Sequence, residues 1–460
     1  MVSRVGALDR HLALVGFMGA GKTTVGREVA AATHRPFVDT DGEIERRHGP
    51  IPRIFEERGE EEFRLLEERV VAEVLCTAEP AVIALGGGAV LSERTRALAA
   101  ARAFPVWLTV EPDDAWRRSS GGDRPLARDE AGFRRLYEER LPLYEEVAGG
   151  AASDGEGVLL AALSISVGRG ASRDAQGEAI VADQLVLAIH CDRIRGEAHV
   201  VPSGEDAKTL AVVERLWREL TVGRDGTIVA FGGGSTTDVV GFVAATYLRG
   251  VRWIAVPTTL TGQVDAAIGG KTGINTPDGK NLAGAFHFPE RVLVDPDLLA
   301  TLPEAERRAG MAEVVKTGLL AGRPVWELPA EEMIRACAAY KAGVVLSDPY
   351  ETDGRRARLN LGHTFAHALE AGSGYRVSHG DAVALGLLAA LRLSGLPTDA
   401  VEEILRPEPV EADLDVAWAA LRRDKKGEGV FVLLEAPARP VVTTVPEAEA
   451  RAALAALVRQ

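Results

Sequence analysis

Cysteine is nearly missing from this chain: Cys76, Cys191 and Cys337 lie far apart in 460 residues. That scarcity excludes a disulfide framework and a cysteine-based zinc site, and it fits a reducing compartment, the cytoplasm. Long apolar runs are missing too. The most apolar stretch, Ala382 to Leu391, stops at Arg392, well short of a bilayer span. The first apolar run, Leu12 to Val15, has the length of a strand and leads into a glycine loop, so no secretory signal is expected. Basic charge is the third shortage, because 53 Lys and Arg stand against 67 Asp and Glu, a formal net charge of −14. No general affinity for nucleic acid or anionic membrane is expected, although local basic pockets can still hold phosphate. What remains is 46% apolar and 26% charged, the composition of a soluble globular protein, and long enough for two or three domains.

Strands and helices alternate in the first part. Leu12–Val15, Pro36–Val38 and Val82–Leu85 read as strands, with helices from Lys22 and from Pro52 to Cys76, which predicts an α/β fold on a parallel sheet. Gly149 to Gly157 is small, polar and glycine-rich and reads as a linker. Val158–Leu163 reads as a last short helix, and the alternating Ser164–Val167 opens the next part. Buried strands return at Thr227–Phe231 and Trp253–Val256, and helical periodicity takes over beyond Pro303. The expected division is therefore 1–163, 164–302 and 303–460.

Gly16-Phe-Met-Gly19-Ala20-Gly21-Lys22-Thr23 matches G-x-x-x-x-G-K-[ST] between a strand and a helix. Backbone amides of Gly19 to Thr24 would wrap phosphates at the positive end of the helix. Lys22 would reach the terminal phosphates and Thr23 would ligate Mg2+. With five further segments, the stretch from 11 to about 163 resembles shikimate kinase. Asp39-Thr-Asp41 is similar to that family's acidic pair, which implies Asp39 near Mg2+ and Asp41 on the acceptor's hydroxyls. Arg64 and Arg140 stand where the family grips the shikimate carboxylate, and Gly86, Gly87 and Gly88 where the ring approaches backbone. Arg124 resembles the lid arginine that meets the transferring phosphate, while Arg117 or Arg118 would stack on adenine. A small carboxylate with several hydroxyls suits guanidinium forks for its charge and a carboxylate for its hydroxyls.

In the second part, Phe231-Gly232-Gly233-Gly234-Ser-Thr-Thr-Asp238 follows a strand and opens a helix, which suits a dinucleotide pyrophosphate but also an ordinary tight turn. His363 and His367 share a helix face, and Gly372-Ser-Gly374 can fold His379 back toward them. Clustered imidazoles suit a divalent metal completed by a carboxylate, with helix-surface histidines as the alternative. Arg249, Lys271, Lys280 and Asn281 crowd donors into glycine-rich loops, as a phosphate or nucleotide requires. Together with Glu313 and Lys316, these segments are similar to 3-dehydroquinate synthase from about 203 to 430. The resemblance implies a Rossmann-like nucleotide part followed by an α-helical metal-binding part.

It also implies roles. Glu313, His363 and His379 would bind Zn2+, or Co2+ in its place, so that His367 becomes a phosphate-side or proton-handling residue rather than a ligand. Glu205, Lys208, Gly233, Gly234, Asp238, Thr258, Thr259, Lys280, Thr301 and Leu302 would meet NAD+. Asp265, Lys271, Asn281, Lys316, Lys341, Arg356, Asn360 and one of Lys425 and Lys426 would surround substrate. Arg249 would reach a neighbouring subunit's site, which implies a homodimer. Two local departures from the family stand out: a short, irregular stretch between Val167 and Ser203, and one extra residue in Asp348–Gly354.

The implied function is double. ATP with Mg2+ would phosphorylate shikimate, and the second part would convert 3-deoxy-D-arabino-heptulosonate 7-phosphate to 3-dehydroquinate with loss of phosphate. The alternatives for the second part are a related sugar-phosphate cyclase or a metal-dependent polyol dehydrogenase. An uncharged polyol has no use for the clamps at Arg249, Lys271, Asn281 and Arg356.

Overall fold

A computed structural model describes residues 6–120, 129–277, 279–424 and 430–459. The chain forms two compact units, one of residues 1–165 with 342–347, the other of 166–341 with 348–460.

In the first unit the elements run β1 (His11–Val15), α1 (Lys22–Thr33), β2 (Phe37–Asp39), α2 (Thr40–His48), α3 (Ile51–Leu75), β3 (Val82–Ala84), α4 (Glu93–Arg102), β4 (Ala103–Leu108), α5 (Pro112–Ser119), α6 (Glu130–Val147), β5 (Gly150–Ala152) and α7 (Gly155–Ala162). The sheet order is β2-β3-β1-β4-β5, and its strand pairs are all parallel. Every residue of β1 is buried, as expected of a central parallel strand covered on both faces. Phe17, Phe63, Phe133 and Tyr144 help fill the core. Gly59 breaks the helix expected from Pro52 onward, since its φ of 83° and ψ of 170° are not helical.

The glycine-rich stretch read as a linker is instead part of this fold. Gly150–Ala152 pairs with Val106–Leu108 as an edge strand. Asp154 then accepts a hydrogen bond from Gly157 N and caps α7. Small residues suit the site: a Cβ on Gly149 would sit 2.7 Å from the Phe104 ring.

The second unit holds β6 (Ile165–Val167), β7 (Ala179–Asp183), α8 (Gln184–His190), β8 (Ala198–Val201), α9 (Leu210–Glu219), β9 (Thr227–Gly232), α10 (Gly234–Thr246), β10 (Arg252–Pro257), β11 (Lys271–Thr276), β12 (Gly279–Phe286) and β13 (Arg291–Val294). Its main sheet is ordered β6-β13-β10-β9-β7-β8, and β11 and β12 form a separate antiparallel hairpin. There follow α11 (Glu304–Ala321), α12 (Ala330–Ser347, whose last six residues are assigned to the first unit), α13 (His363–Gly372), α14 (His379–Leu393), α15 (Asp399–Ile404), α16 (Leu414–Asp424), the hairpin β14 (Val430–Ala436) and β15 (Arg439–Thr444), and α17 (Glu447–Ala455). α14 is buried along most of its length and packs on α11 and α13. Among the described residues no helix is long and apolar enough to cross a membrane.

Candidate active sites

In the first unit, β1 delivers the chain into a loop where Gly19 and Gly21 have φ of 81° and 90°, a region that glycine enters without strain. Gly21 precedes α1 without a side-chain cap, so first-turn amides stay available to an anion. Ala20 is buried, Lys22 and Thr23 are half-buried and Thr24 is exposed. Lys22 Nζ donates to the carbonyls of Gly16 (2.7 Å) and Phe17 (3.0 Å). Thr23 Oγ1 donates to Asp39 Oδ2 at 2.6 Å, so a hydroxyl and a carboxylate already adjoin where Mg2+ would be held. The other Asp39 oxygen caps α2 by accepting from Asp41 N (3.1 Å), which fixes Asp41 at the helix start.

Charged groups from three elements surround the glycine run after β3. Arg140 Nη1 and the Tyr144 hydroxyl both donate to Gly87 O, at 3.1 and 2.6 Å. A Cβ on Gly86 would fall 2.5 Å from Asp41 Oδ1, and one on Gly88 would fall 2.6 Å from Arg64 Cζ. Arg64 in turn donates to Glu67 (2.7 Å) and Glu60 (2.9 Å). The Nε atoms of Arg64 and Arg140 are buried without a hydrogen-bond partner. Burial pushes the Arg140 guanidinium below its ordinary range and the Glu67 carboxyl above its own, with Arg64 opposing the latter. Glu67 was not foreseen; in a glutamate-rich helix it reads as a solvated residue, yet it is 3% exposed. Arg118 donates to Gly19 O at 3.3 Å, whereas Arg117 pairs with Asp114. Arg124 lies outside the described residues.

In the second unit, Gly232–Gly234 is as crowded. A Cβ on Gly232 would lie 2.6 Å from Thr236 Oγ1, on Gly233 3.0 Å from Thr259 Cγ2, and on Gly234 2.9 Å from Ala266 Cβ. The Thr236 and Thr258 hydroxyls are buried with no hydrogen-bond partner, unused groups beside a loop that a nucleotide would occupy. Lys208, 3% exposed, donates from Nζ to Asp238 Oδ2 (2.6 Å) and to Asn281 Oδ1. Glu205 accepts from Ser235 (2.9 Å) and Asn275 (2.7 Å). Asn275 Oδ1 accepts from Asn281 N at 3.0 Å, holding Asn281 at a φ of 56°. Asn275 is a further residue the sequence reading missed.

Glu313 on α11, His363 on α13 and His379 on α14 converge, with one ligand atom of each within 4.8 Å of the others. Glu313 Oε1 lies 3.5 Å from His363 Nε2 and 3.4 Å from His379 Nε2. The second ring nitrogens face Leu361 O (3.2 Å) and Glu370 Oε1 (3.1 Å), respectively. Glu313 Oε2 is buried and makes no hydrogen bond of regular geometry, although the Lys316 ammonium lies against it. Against the effect of burial, Lys316 and the two histidines hold the Glu313 carboxyl well below its usual range. Burial disfavours charge on His379 as well, but Glu313 and Glu370 push its imidazole up to about 10. A carboxylate, two imidazoles and a side chain 42% exposed at His379 fit a divalent cation with a position open to substrate.

Asp265 adjoins this centre. Its carboxylate lies 3.7 Å from Lys316 Nζ and 2.8 Å from Lys341 Nζ, and Lys341 also donates to Asp265 O at 2.7 Å. Burial pushes Lys341 down to about 8 despite the attraction of Asp265. Lys271 pairs with Glu351, another residue not foreseen, and Arg356 Nε lies 3.9 Å from the same carboxylate. Arg356 is buried and donates to Gly269 O (2.8 Å) and Pro349 O (3.0 Å). Asn360 is half-buried, and His367 is exposed with its ring 5.8 Å from that of His363. Thr301 Oγ1 is 2.8 Å from His190 Nε2, and Leu302 is half-buried just beyond it. Arg249 is exposed, with a φ of 67°. Lys425 and Lys426 lie outside the described residues.

Comparison with known proteins bears on both units. Residues 18–156 match the family model for shikimate kinase, 198–309 that for 3-dehydroquinate synthase N-terminal and 310–426 that for 3-dehydroquinate synthase C-terminal. A bifunctional shikimate kinase/3-dehydroquinate synthase from Thermotoga maritima is 33% identical over 461 residues, covering 90% of this chain and 92% of that one. The chain belongs to this bifunctional family. It is a multifunctional enzyme of the shikimate pathway, with a kinase domain and a synthase domain. A 3-dehydroquinate synthase from Thermobifida fusca is 43% identical over 281 residues, 54% of this chain and 75% of that protein. Among solved structures, a 2-epi-5-epi-valiolone synthase from Streptomyces hygroscopicus with NAD+ and Zn2+ bound has a TM-score of 0.57 at 25% identity, covering 64% of this chain and 96% of its own. A 2-deoxy-scyllo-inosose synthase complexed with carbaglucose-6-phosphate, NAD+ and Co2+ has a TM-score of 0.54 at 25% identity, covering 61% and 90%. The alternatives for the second part, a related sugar-phosphate cyclase or a metal-dependent polyol dehydrogenase, are not favoured.

Proposed function

We propose a specific division of labour among the residues of this bifunctional enzyme, over domains spanning 1–163, 164–302 and 303–460. In the kinase domain, the amides from Gly19 to Thr24 and the Lys22 ammonium bind the phosphates of ATP, and Thr23 with Asp39 holds Mg2+. Arg64 and Arg140 bind the shikimate carboxylate, and Gly86–Gly88 lets the ring reach backbone. Asp41 orients the attacking hydroxyl and accepts its proton, while Arg124 meets charge on the transferring phosphate. The convergence of two guanidiniums and Asp41 on one glycine run supports this reading.

In the synthase domain, Glu313, His363 and His379 hold Zn2+, with Co2+ able to replace it. Glu205, Lys208, Gly233, Gly234, Asp238, Thr258, Thr259, Lys280, Thr301 and Leu302 bind NAD+. When bound, the metal supplies Lewis acidity at a substrate hydroxyl and NAD+ a reversible hydride acceptor. Lys271, Asn281 and His367 hold the substrate's phosphate and let it leave, and Lys271 exchanges Glu351 for that anion. Lys341, Arg356, Asn360 and Lys425 fix the remaining polar groups, and Asp265 keeps Lys316 and Lys341 at the ring. The observation that carries this reading is the metal-competent triad sharing Lys316 with the Asp265–Lys341 cluster. Arg249 reaches a second subunit in a homodimer, and the enzyme works in the cytoplasm.

The test follows phosphate release from 3-deoxy-D-arabino-heptulosonate 7-phosphate with NAD+, beside ATP consumption with shikimate. Phosphate release sensitive to a zinc chelator, without lasting NADH, is expected; His363→Ala should stop it and leave the kinase intact, and Lys22→Met should do the reverse. Phosphate release unaffected by His363→Ala would refute the metal assignment.

A further inference from the structure

Beyond the three ligands, one buried carboxylate lies on the metal centre's edge. Glu370, on α13, is 5% exposed, and its Oε1 lies 3.1 Å from His379 Nδ1 and 3.7 Å from Lys280 Nζ. It follows His363 and His367 at helical spacing, so the three share one face of α13. A carboxylate this buried requires partners, and its nearer one is the imidazole.

We propose that Glu370 is a positioning residue for metal binding: it fixes the tautomer and orientation of His379. The inference rests on the zinc reading above. A histidine offers a metal one lone pair, and which nitrogen carries the proton decides where that lone pair points. With Nδ1–H donating to Glu370, the lone pair of Nε2 points toward Glu313, into the space the ligand atoms share. The opposite tautomer would aim an N–H at the cation and set two acceptors against each other at Glu370. His363 obtains the same orientation from a backbone carbonyl, Leu361 O. Only His379 relies on an ionised side chain, whose negative charge also raises the basicity of the ring. Lys280, its ammonium 4.9 Å from the Tyr375 ring centre, approaches the same carboxylate oxygen from β12 and moderates that charge. Neither contact by itself explains why an acid is buried at the end of α13. Together they place it between a metal ligand and the hairpin that carries Lys280.

The experiment measures zinc affinity of the full-length protein by competition with a chelating dye, and the visible spectrum of the Co2+-loaded protein. Wild type, His363→Ala, Glu370→Gln and Glu370→Ala are compared. Loss of a partner behind a ligating histidine weakens metal binding about 10–100-fold, the range expected for Glu370→Ala. Glu370→Gln keeps an accepting oxygen without the charge, so it should fall between Glu370→Ala and wild type, with a shifted cobalt band. Should Glu370→Ala fail to fold, as its thermal transition would show, the near-isosteric Gln variant decides alone. Wild-type zinc affinity and an unchanged cobalt spectrum in Glu370→Gln and in any folded Glu370→Ala would overturn the inference. Wild-type affinity in His363→Ala would instead overturn the zinc assignment itself.

Discussion

Replacing Gly88 with alanine should damage one activity of this enzyme and spare the other. The backbone at Gly88 has φ −102° and ψ −6°, which alanine tolerates, so the only obstacle is space. The new methyl would stand 2.6 Å from Arg64 Cζ and 2.7 Å from Arg64 Nη2, well inside contact distance. Arg64 is a flexible side chain, 22% exposed, and it will swing aside rather than unfold the domain. Swinging aside separates it from Glu67, whose side chain is 4% exposed, and leaves that acid buried without its cation. An unsatisfied buried acceptor costs about 1–3 kcal/mol, so a modest loss of kinase-domain stability is expected. On the proposed assignment, Arg64 would also leave the shikimate carboxylate. One hydrogen bond to a charged group is worth about 1.5–3 kcal/mol, and every 1.4 kcal/mol is tenfold, which predicts a loss of about 10–100-fold in kcat/KM for shikimate. The assay is steady-state kinetics varying shikimate and ATP separately, with phosphate release by the synthase as an internal control in the same tube. A fall confined to the shikimate terms supports the reasoning. Wild-type kcat/KM for shikimate would refute it, because Arg64 would then be either unmoved or unused.

Further outcomes follow from the synthase domain. Lys341, held near 8 instead of its usual 10.5, should lose its charge as pH rises through about 8, so KM for the sugar phosphate should climb there. Lys341→Arg should keep a flat profile above pH 8, and an identical climb in that variant would assign the titration elsewhere. The sign for stability is opposite. The folded-state value lies below the unfolded one, so the penalty of burying this ammonium is in force below pH 8 and relieved between 8 and 10.5. Lys208→Met strips Asp238 and Asn281 of their shared donor and should cost about 3 kcal/mol, read as a lower urea midpoint with weakened NAD+ binding; an unchanged midpoint would deny Lys208 that role. Arg249→Ala and His363→Ala proteins, each inactive as synthase, should regain about a quarter of wild-type activity when their subunits are mixed at random as dimers. No recovery would mean that Arg249 does not serve a partner's site.

How much was legible in the sequence depended on whether backbone or burial did the work. Gly19 and Gly21 announced the phosphate loop because few other residues enter positive φ, and the apolar Leu12–Val15 announced a strand, which the structure extends to His11. His363 and His379 stood out as a local cluster, but Glu313 lies on a different helix and no spacing connects it to them; the family resemblance alone supplied it. Glu67, Glu351 and Glu370 were not legible. Each looks like a solvated acid on or near a helix; packing of a second element places a lysine beside Glu351 and a histidine beside Glu370, while Glu67 pairs with Arg64 one turn away on its own helix and only its burial was hidden. The linker reading at Gly149–Gly157 failed for a related reason. Small residues mark flexible chain and close packing alike, and here the Phe104 ring and the β4 edge decide between them.

The two Gly-Gly-Gly runs differ in what surrounds them. At Gly86 and Gly88 a methyl group would meet the tips of Asp41, Glu67 and Arg64, which can yield; at Gly232 and Gly234 it would meet Thr236 and Ala266 at atoms close to their own backbones, which cannot. Lesions of equal size should therefore leave different traces. In the first run most of the protein still accumulates and the chemistry is the main loss, whereas in the second the protein itself becomes scarce. A screen that scores variants by soluble yield would pass the former and reject the latter, so for this chain abundance reports on one activity and is blind to the other.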